Sequence, residues 1–391
     1  MNTDKSPHQQ LDYTLIFIMF LMALTSAIAI SSAQPTLPEK LQNINFAFLQ
    51  LRWYIIGIIA VIGTMVIDFD RFKQLSWYLY GFGMVLLLGL EVIPPPIVEP
   101  IKGATSWYSL PGIGNFQPSE LMKIFMIIVL SKIITDHREK YVNNTVRDDL
   151  FLLGKVFAAS APPILLLLRQ PDTGMTMVFC AIIGSLIIVS GVKWKIIASF
   201  VLSGLLAASV IVFTFFAFPD FFSKYIMDSS SYKLDRFYGW LNPYEYSSEQ
   251  GFQLIKSLLA IGSGELYGKG YQQLEVYLPE GHTDFIFAII SEQFGFIGGS
   301  VVISLFFLLI YRMIHIALES NDPFGSFLCA GVIGMITFQV FQNVGMTVGL
   351  LPITGLPLPF ISYGGSSLAT YMIAIGIVLN VRSRTRKYMF D

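Results

Sequence analysis

Apolar residues fill this chain in long unbroken blocks, not in the three-and-four spacing of helices laid on a water-soluble core. Blocks near the roughly 20 residues that cross a bilayer predict ten helices. They lie at about 13–32, 48–68, 76–94, 118–135, 151–168, 174–192, 196–219, 285–312, 324–346 and 366–382. The fifth carries Lys155 and the pair Pro162-Pro163, and proline removes a backbone donor, so a kink is expected there. The first block, Leu15–Ile30, could also serve as a cleaved signal, with Ser31-Ser-Ala-Gln34 imitating a cleavage site. Its spanning length, and a charged region made of Lys5 alone, favour a retained helix.

A polar loop at 220–283 separates the seventh and eighth blocks and is far longer than a connector, a length that usually accompanies function. Within it Phe252, Ile255, Leu258 and Leu259 recur at helical spacing, while Gln253, Lys256 and Ser257 take other positions. This predicts a short amphipathic helix near 250–261, lying in the membrane interface or packed on the bundle. Gly262, Gly264, Gly268 and Gly270 follow it without a preceding strand, so a flexible hinge is expected in place of a phosphate-binding loop. No repeat or low-complexity tract interrupts the pattern. The expectation is one domain, 1–391, an all-α polytopic membrane protein.

Composition agrees: 54% of the 391 residues are hydrophobic, only 13% are charged, and mean hydropathy is +0.63. Those figures exclude an ordinary soluble globule. The formal net charge of -1 offers no basic field for nucleic acid. Charge acts by position instead. Of the 25 Lys and Arg, Lys224, Lys233, Arg236, Lys256 and Lys269 fall in the long loop, which the positive-inside rule discounts. With the amino terminus inside, Lys40, Arg52, Lys102, Lys123 and Arg169 are left outside and the remaining fifteen lie inside. Both termini are therefore expected in the cytoplasm, with Asp284, the start of the fourth helix and the end of the ninth facing outward. Cys180 and Cys329 sit within apolar blocks, which favours packing over a disulfide or zinc site. His8, His137, His282 and His315 lack metal-ligand spacing, although His282 lies two residues before Asp284.

Three outward segments carry more polar, glycine and proline residues than connectors need. The first, from Gly103 to Lys123, places Glu120 and Lys123 on one helix face behind Pro118 at a first helical position. That pattern reads as a capped helix with Lys123 snorkelling, or as a charged face with a task. The second, Leu278–Phe287, contains Asp284 at the edge of an apolar block, where a carboxylate is costly unless solvated, paired or used. Asp284 could act as a general base, bind a divalent cation, relay protons or cap the helix after it. The third, Phe341–Ser367, holds Pro352, Pro357 and Pro359 with Gly349, Gly355, Gly364 and Gly365, which forbid a regular helix throughout. Irregular backbone at membrane depth reads as a rigid outer loop or as the wall of a cavity.

Gln117-Pro-Ser-Glu-x-x-Lys123, Pro279-Glu-x-His-Thr-Asp-Phe-Ile-Phe287 and the run from Gly349 to Ser367 together resemble the SEDS family, the shape, elongation, division and sporulation proteins. The resemblance spans essentially the whole chain. Gln170-Pro-Asp-Thr-Gly174 and Gln342-Asn-Val-Gly-Met346 look more like the elongation branch, RodA, than the division branch, FtsW. One departure is Ser106, which stands before Trp107 where many members carry Arg.

The resemblance implies a peptidoglycan glycosyltransferase in the bacterial cell membrane that polymerises lipid II on the outer face during cell elongation and rod-shape maintenance. It implies a class B penicillin-binding protein, a transpeptidase, as partner, alongside other rod-shape proteins and membrane lipid. Asp284 matches the family's presumed catalytic carboxylate. Glu120, Lys123, Trp107, Gln117, Lys256, His282 and Ser362 are the candidates for binding or support. Lys123 is the first choice to neutralise the departing pyrophosphate, with Lys256 and Arg169 as other cations. A divalent cation, magnesium or manganese, has room in this chemistry; no organic cofactor is called for. Two other functions stay open: a flippase for a lipid-linked cell-wall precursor, and a non-catalytic scaffold for cell-wall enzymes.

Overall fold

A computed structural model describes residues 11–98, 105–110, 114–142, 145–218, 238–245 and 249–385. The parts of the long loop at 219–237 and 246–248, and positions 103, 104 and 111–113 of the first polar segment, lie outside the described residues. Helix α1 spans Tyr13–Ala33, and a short α2, Glu39–Gln42, leads into α3, Phe46–Val66. Then come α4, Phe69–Val92, a small hairpin of β1, Tyr108–Leu110, and β2, Gly114–Phe116, and α5, Pro118–Lys140. The remainder is α6, Val146–Arg169, α7, Thr173–Val189, α8, Trp194–Ala217, α9, Glu249–Ser263, α10, Ile286–Glu319, α11, Pro323–Thr347, and α12, Gly365–Arg384.

Every predicted apolar helix has a counterpart, although the helix expected at 76–94 begins at Phe69 and the one expected at 285–312 runs on to Glu319. Among the described residues eight are long and apolar enough to cross a membrane; α7 is shorter, at 17 residues, and α5 is more polar. The polarity of α5 follows from its place at the centre. It packs against α4, α6, α7, α11 and α12, so Glu120 and Lys123 meet protein, not lipid. Elsewhere α12 lies along α3, α11 along α7, and α10 along α1 and α11.

Helix α6 runs without interruption through Pro162 and Pro163. Pro163 has no N–H for the Ala159 carbonyl four residues earlier. The Tyr80 hydroxyl of α4 donates to that carbonyl at 2.7 Å, so a neighbouring helix satisfies what proline leaves open. On the side that bears the amino terminus, Asp12 caps α1 and receives two Nε contacts from Arg312 at 3.0 and 2.9 Å, clamping α1 to α10.

The helix after the long loop is present as α9, with a small-residue side on the bundle and most of its large apolar side chains turned away from it. Leu254, Ser257 and Ala260 are buried, whereas Phe252, Leu258 and Leu259 are exposed. Ser257 donates to the Thr347 carbonyl at 2.8 Å and the Trp240 indole donates to Gly349 at 2.9 Å, which docks this region on the end of α11. Small residues let the helix approach closely. The larger apolar ones are left for lipid.

The glycines that follow α9 are not a hinge. Helix α10 breaks at Gly295, where φ is +63°, and the break frees backbone groups in mid-helix. Lys269 and Gly270 donate N–H to the carbonyls of Glu292 and Gln293, and Phe296 and Ile297 donate to Glu265 and Leu266, at 2.9–3.3 Å. A Cβ at Gly264 would stand 2.0 Å from the Ser291 oxygen, and one at Gly268, whose φ is +81°, 2.1 Å from the Gln293 oxygen. Only glycine admits this backbone-to-backbone lacing. Gly268→Ala is expected to lower the melting temperature of the detergent-purified protein, since the left-handed backbone alone costs an alanine about 1–3 kcal/mol. Gly262→Ala, which meets nothing within 4 Å, should leave it unchanged. Equal tolerance at both positions would restore the hinge reading.

Candidate active site

Two polar clusters occupy one end of the bundle, and an irregular strip of chain joins them. The first forms where α5 begins. Pro118 opens the helix after Gln117, and Glu120 and Lys123 pair at 2.8 Å with side-chain exposures of 1% and 0%. The Lys123 ammonium also sits 5.1 Å from the centre of the Tyr371 ring, whose hydroxyl accepts from Gln339 at 2.8 Å. Lys123 therefore does not snorkel. A buried ammonium needs both a counter-ion and polarisable surroundings, and this site supplies a carboxylate and an aromatic face.

Asp172, which sequence reasoning left inside a branch-diagnostic motif, completes this cluster. It caps α7 by accepting from the Met175 N–H at 3.0 Å and receives the Gln117 amide at 2.9 Å. Burial pushes the Asp172 carboxyl above its ordinary value, and the neighbouring negative charge of Glu120 acts in the same direction.

The second cluster surrounds Asp284. The cap position of α10 falls to Phe285, not to Asp284. Asn343 of α11 donates to the Asp284 carbonyl and to the Leu356 carbonyl, both at 2.8 Å. Ser362 donates to the Thr283 carbonyl at 2.6 Å and accepts from Leu358 N–H at 2.8 Å, while Tyr363 N–H reaches the His282 carbonyl at 3.0 Å. Ser362 and Asn343 thus fasten the proline-rich strip to the Asp284 segment. The His282 ring packs 4.8 Å from Phe46 and 5.9 Å from Tyr363, which fits support.

Residues 354–356 lie between the clusters. A Cβ at Gly355 would stand 3.4 Å from Oδ2 of Asp284, and one at Gly174, next to the Asp172 cap, 3.1 Å from the Thr354 oxygen. Asp284 remains partly accessible. The irregular strip therefore brings Asp284 and the Gln117–Glu120–Lys123–Asp172 group to opposite sides of one short span.

The other sequence candidates sit apart. Trp107 is half-buried just before β1. Lys256 lies on α9 with its ammonium 5.3 Å from the Phe252 ring centre. Arg169, at the end of α6, is exposed above an apolar groove of about 500 Å³ lined by Met84, Leu88, Pro162, Leu165 and Leu168. Ser106 is buried with its hydroxyl 3.5 Å from the Gln170 carbonyl, one residue from Arg169. Among the described residues no three His, Cys, Asp or Glu side chains converge to hold a metal ion.

Glu292 was also missed. It is fully buried in α10, and its Oε1 accepts the N–H groups of Glu275 and Val276 at 2.9 and 3.0 Å, fixing the chain that leads to Asp284. An acid inside an apolar block was the available signal.

A family model described as "Cell cycle protein", FTSW_RODA_SPOVE, matches residues 12–387. Stage V sporulation protein E of Bacillus subtilis (strain 168) is 38% identical over 96% of this chain and 98% of its own length. A probable peptidoglycan glycosyltransferase FtsW of Trichlorobacter lovleyi is 33% identical, covering 96% of this chain and 95% of that protein. Among solved structures, one described as structural coordination of polymerization and crosslinking by a peptidoglycan synthase complex superposes with a TM-score of 0.76 at 26% identity, over 95% and 97% of the two chains. The crystal structure of the Thermus thermophilus rod shape determining protein RodA does so at 0.67 and 25%, over 97% and 98%. The apolar helices, the polar motifs and these matches agree from end to end: the chain belongs to the SEDS family of multi-pass bacterial cell-membrane proteins.

Proposed function

We propose that this protein is a peptidoglycan glycosyltransferase that polymerises lipid II on the outer face of the cell membrane, with Asp284 as general base. The observation that carries the reading is the placement of Asp284: a partly accessible carboxylate on a segment fastened from two sides. The names of the FtsW relatives and the solved synthase complex support it. Both termini in the cytoplasm is the orientation that puts Asp284 outside.

In the reaction an acceptor sugar hydroxyl attacks the anomeric carbon of a lipid-linked donor. The bond from that carbon to pyrophosphate breaks, and the proton of the hydroxyl passes to the Asp284 carboxylate. Removing the proton as the new bond forms lowers the barrier, and the oxocarbenium-like centre develops positive charge as the leaving group departs. The departing polyprenyl pyrophosphate needs a cation and an apolar path. Lys123 is closed within its pair with Glu120, and Arg169, set apart from Asp284, offers an accessible guanidinium over the apolar groove beside α4 and α6 for the lipid-linked end of the leaving group. Glu120 and Lys123 then hold α5 and Asp172 in place. A divalent cation remains compatible with this chemistry, and no step is assigned to it. A class B penicillin-binding protein, crosslinking the strands, is the proposed partner.

Reconstitution in vesicles with labelled lipid II tests the reading against transport. Glycan polymer should form at the outward face; movement of lipid II across the bilayer without any polymer would favour the flippase. Assignment to elongation rests on Gln170 and the Gln342–Met346 motif, and the sporulation relative supplies the contrast. Depletion in growing cells is expected to cost rod shape. Normal shape with a defect confined to spores would place the protein in the sporulation branch.

A further inference from the structure

Beside the Asp284 segment lies a second opening of about 430 Å³, within the range of ligand sites, lined by Ser31, Gln34, Gln42, Asn43, Asn45 and Gln272. None of the residues lining it is charged. Its frame is built by amides. Gln34 donates to the carbonyls of Gln42 and Ile44 at 3.0 and 2.7 Å, Gln42 donates to Leu37 at 2.8 Å, and Asn45 caps α3 by accepting from Phe48 at 2.9 Å. These bonds use only part of the available capacity. The Asn43 carboxamide has no protein partner among the described residues, and Nδ2 of Asn45 and Oε1 of Gln272 carry no bond. At the rim the Tyr271 hydroxyl is held 2.8 Å from Ser31, which fixes a half-exposed ring, and Gln272 takes a left-handed φ of +61°. Strained non-glycine backbone of that kind gathers at ligand sites.

The opening adjoins the reaction centre. Phe46, next to Asn45, packs on His282 and Tyr363 at 4.8 and 4.9 Å, and His282 lies two residues from Asp284. Neutral carboxamides with spare donors and acceptors beside an exposed aromatic ring match a neutral saccharide, whose hydroxyl and acetamido groups need both bond types and whose ring has apolar faces. A phosphate or a carboxylate would ask for a cation, and none of the described lining residues supplies one.

We propose that this cleft is a saccharide subsite that holds the glycan strand adjoining Asp284. The proposal rests on the polymerase reading for the identity of the sugar. Held there, the strand stays bound between additions, so the cleft sets product length more than the rate of a single transfer.

The test uses the full-length purified protein, an N-acetylglucosamine tetrasaccharide as probe, and the double variant Asn43→Ala/Gln272→Ala. The wild type is expected to bind the probe and the variant to bind about tenfold more weakly, the loss of two neutral hydrogen bonds. In the lipid II assay the variant should give shorter glycan than the wild type. Equal binding by both proteins, no binding by the wild type, or wild-type product length in the variant overturns the subsite. The binding arm is repeated in Asp284→Asn, where retained probe affinity upholds the cleft even if the polymerase reading fails.

Discussion

Asp284→Asn is expected to cut glycan polymerisation from lipid II by about 100-fold to 10,000-fold, the usual worth of a positioned base. Asparagine keeps the shape of the side chain and cannot accept the proton. The segment is held chiefly by main-chain carbonyls, those of Thr283, Asp284 and His282, which Ser362, Asn343 and Tyr363 continue to engage. Melting temperature and partner binding should therefore stay near wild type. A structural role would give the opposite pattern, lost stability with activity in proportion to the folded protein. A scaffold would retain full cell-shape complementation, since nothing in that role requires a base.

Lys123→Met is expected to be the most destabilising single change in the bundle, by about 3–5 kcal/mol, because it leaves the Glu120 carboxylate buried and uncompensated. The pair is closed from solvent on both sides, so salt and water cannot soften the loss. Thermal unfolding in detergent reads the effect. The double variant Glu120→Gln/Lys123→Met removes both charges and should recover most of the stability, since an apolar replacement of a buried pair is often neutral. Additive losses in the double variant would mean that the two residues do not depend on one another. Activity adds a second readout: recovered polymerisation in the stable double variant assigns the pair to positioning, and a stable but inactive protein assigns Lys123 to the pyrophosphate.

Much of this architecture was legible because a bilayer imposes a length on apolar blocks, and that length survives in the sequence whatever the packing. The spacing of Glu120 and Lys123 likewise announced their contact, since residues three apart share a helix face. Their burial was not legible. It depends on Tyr371 and Asp172, which arrive from helices far along the chain. The glycines after α9 show the same limit. Composition suggests freedom, whereas the structure spends these residues on close backbone contact with α10, a pairing set entirely by long-range geometry. The side of α9 that packs was not legible for a related reason. In a membrane protein large apolar residues can face lipid while Ser257 and Ala260 make the protein contact, so hydrophobicity no longer marks the inside. Pro162 and Pro163 predicted a kink; α6 continues through them, and Tyr80 from another helix takes the carbonyl that Pro163 leaves open. Asp284 itself was visible as an acid at an awkward depth; that the cap position of α10 is Phe285 was visible only once α10 had a first residue.

The measurement that bears most directly on Asp284 as base is the rate of glycan polymerisation by Asp284→Ala as formate is added. The smaller side chain leaves room for an external carboxylate beside Gly355. Polymerisation is expected to be nearly absent without formate and to rise with its concentration, as a supplied base replaces the missing one. Full polymerisation by Asp284→Ala in the absence of formate would contradict the assignment.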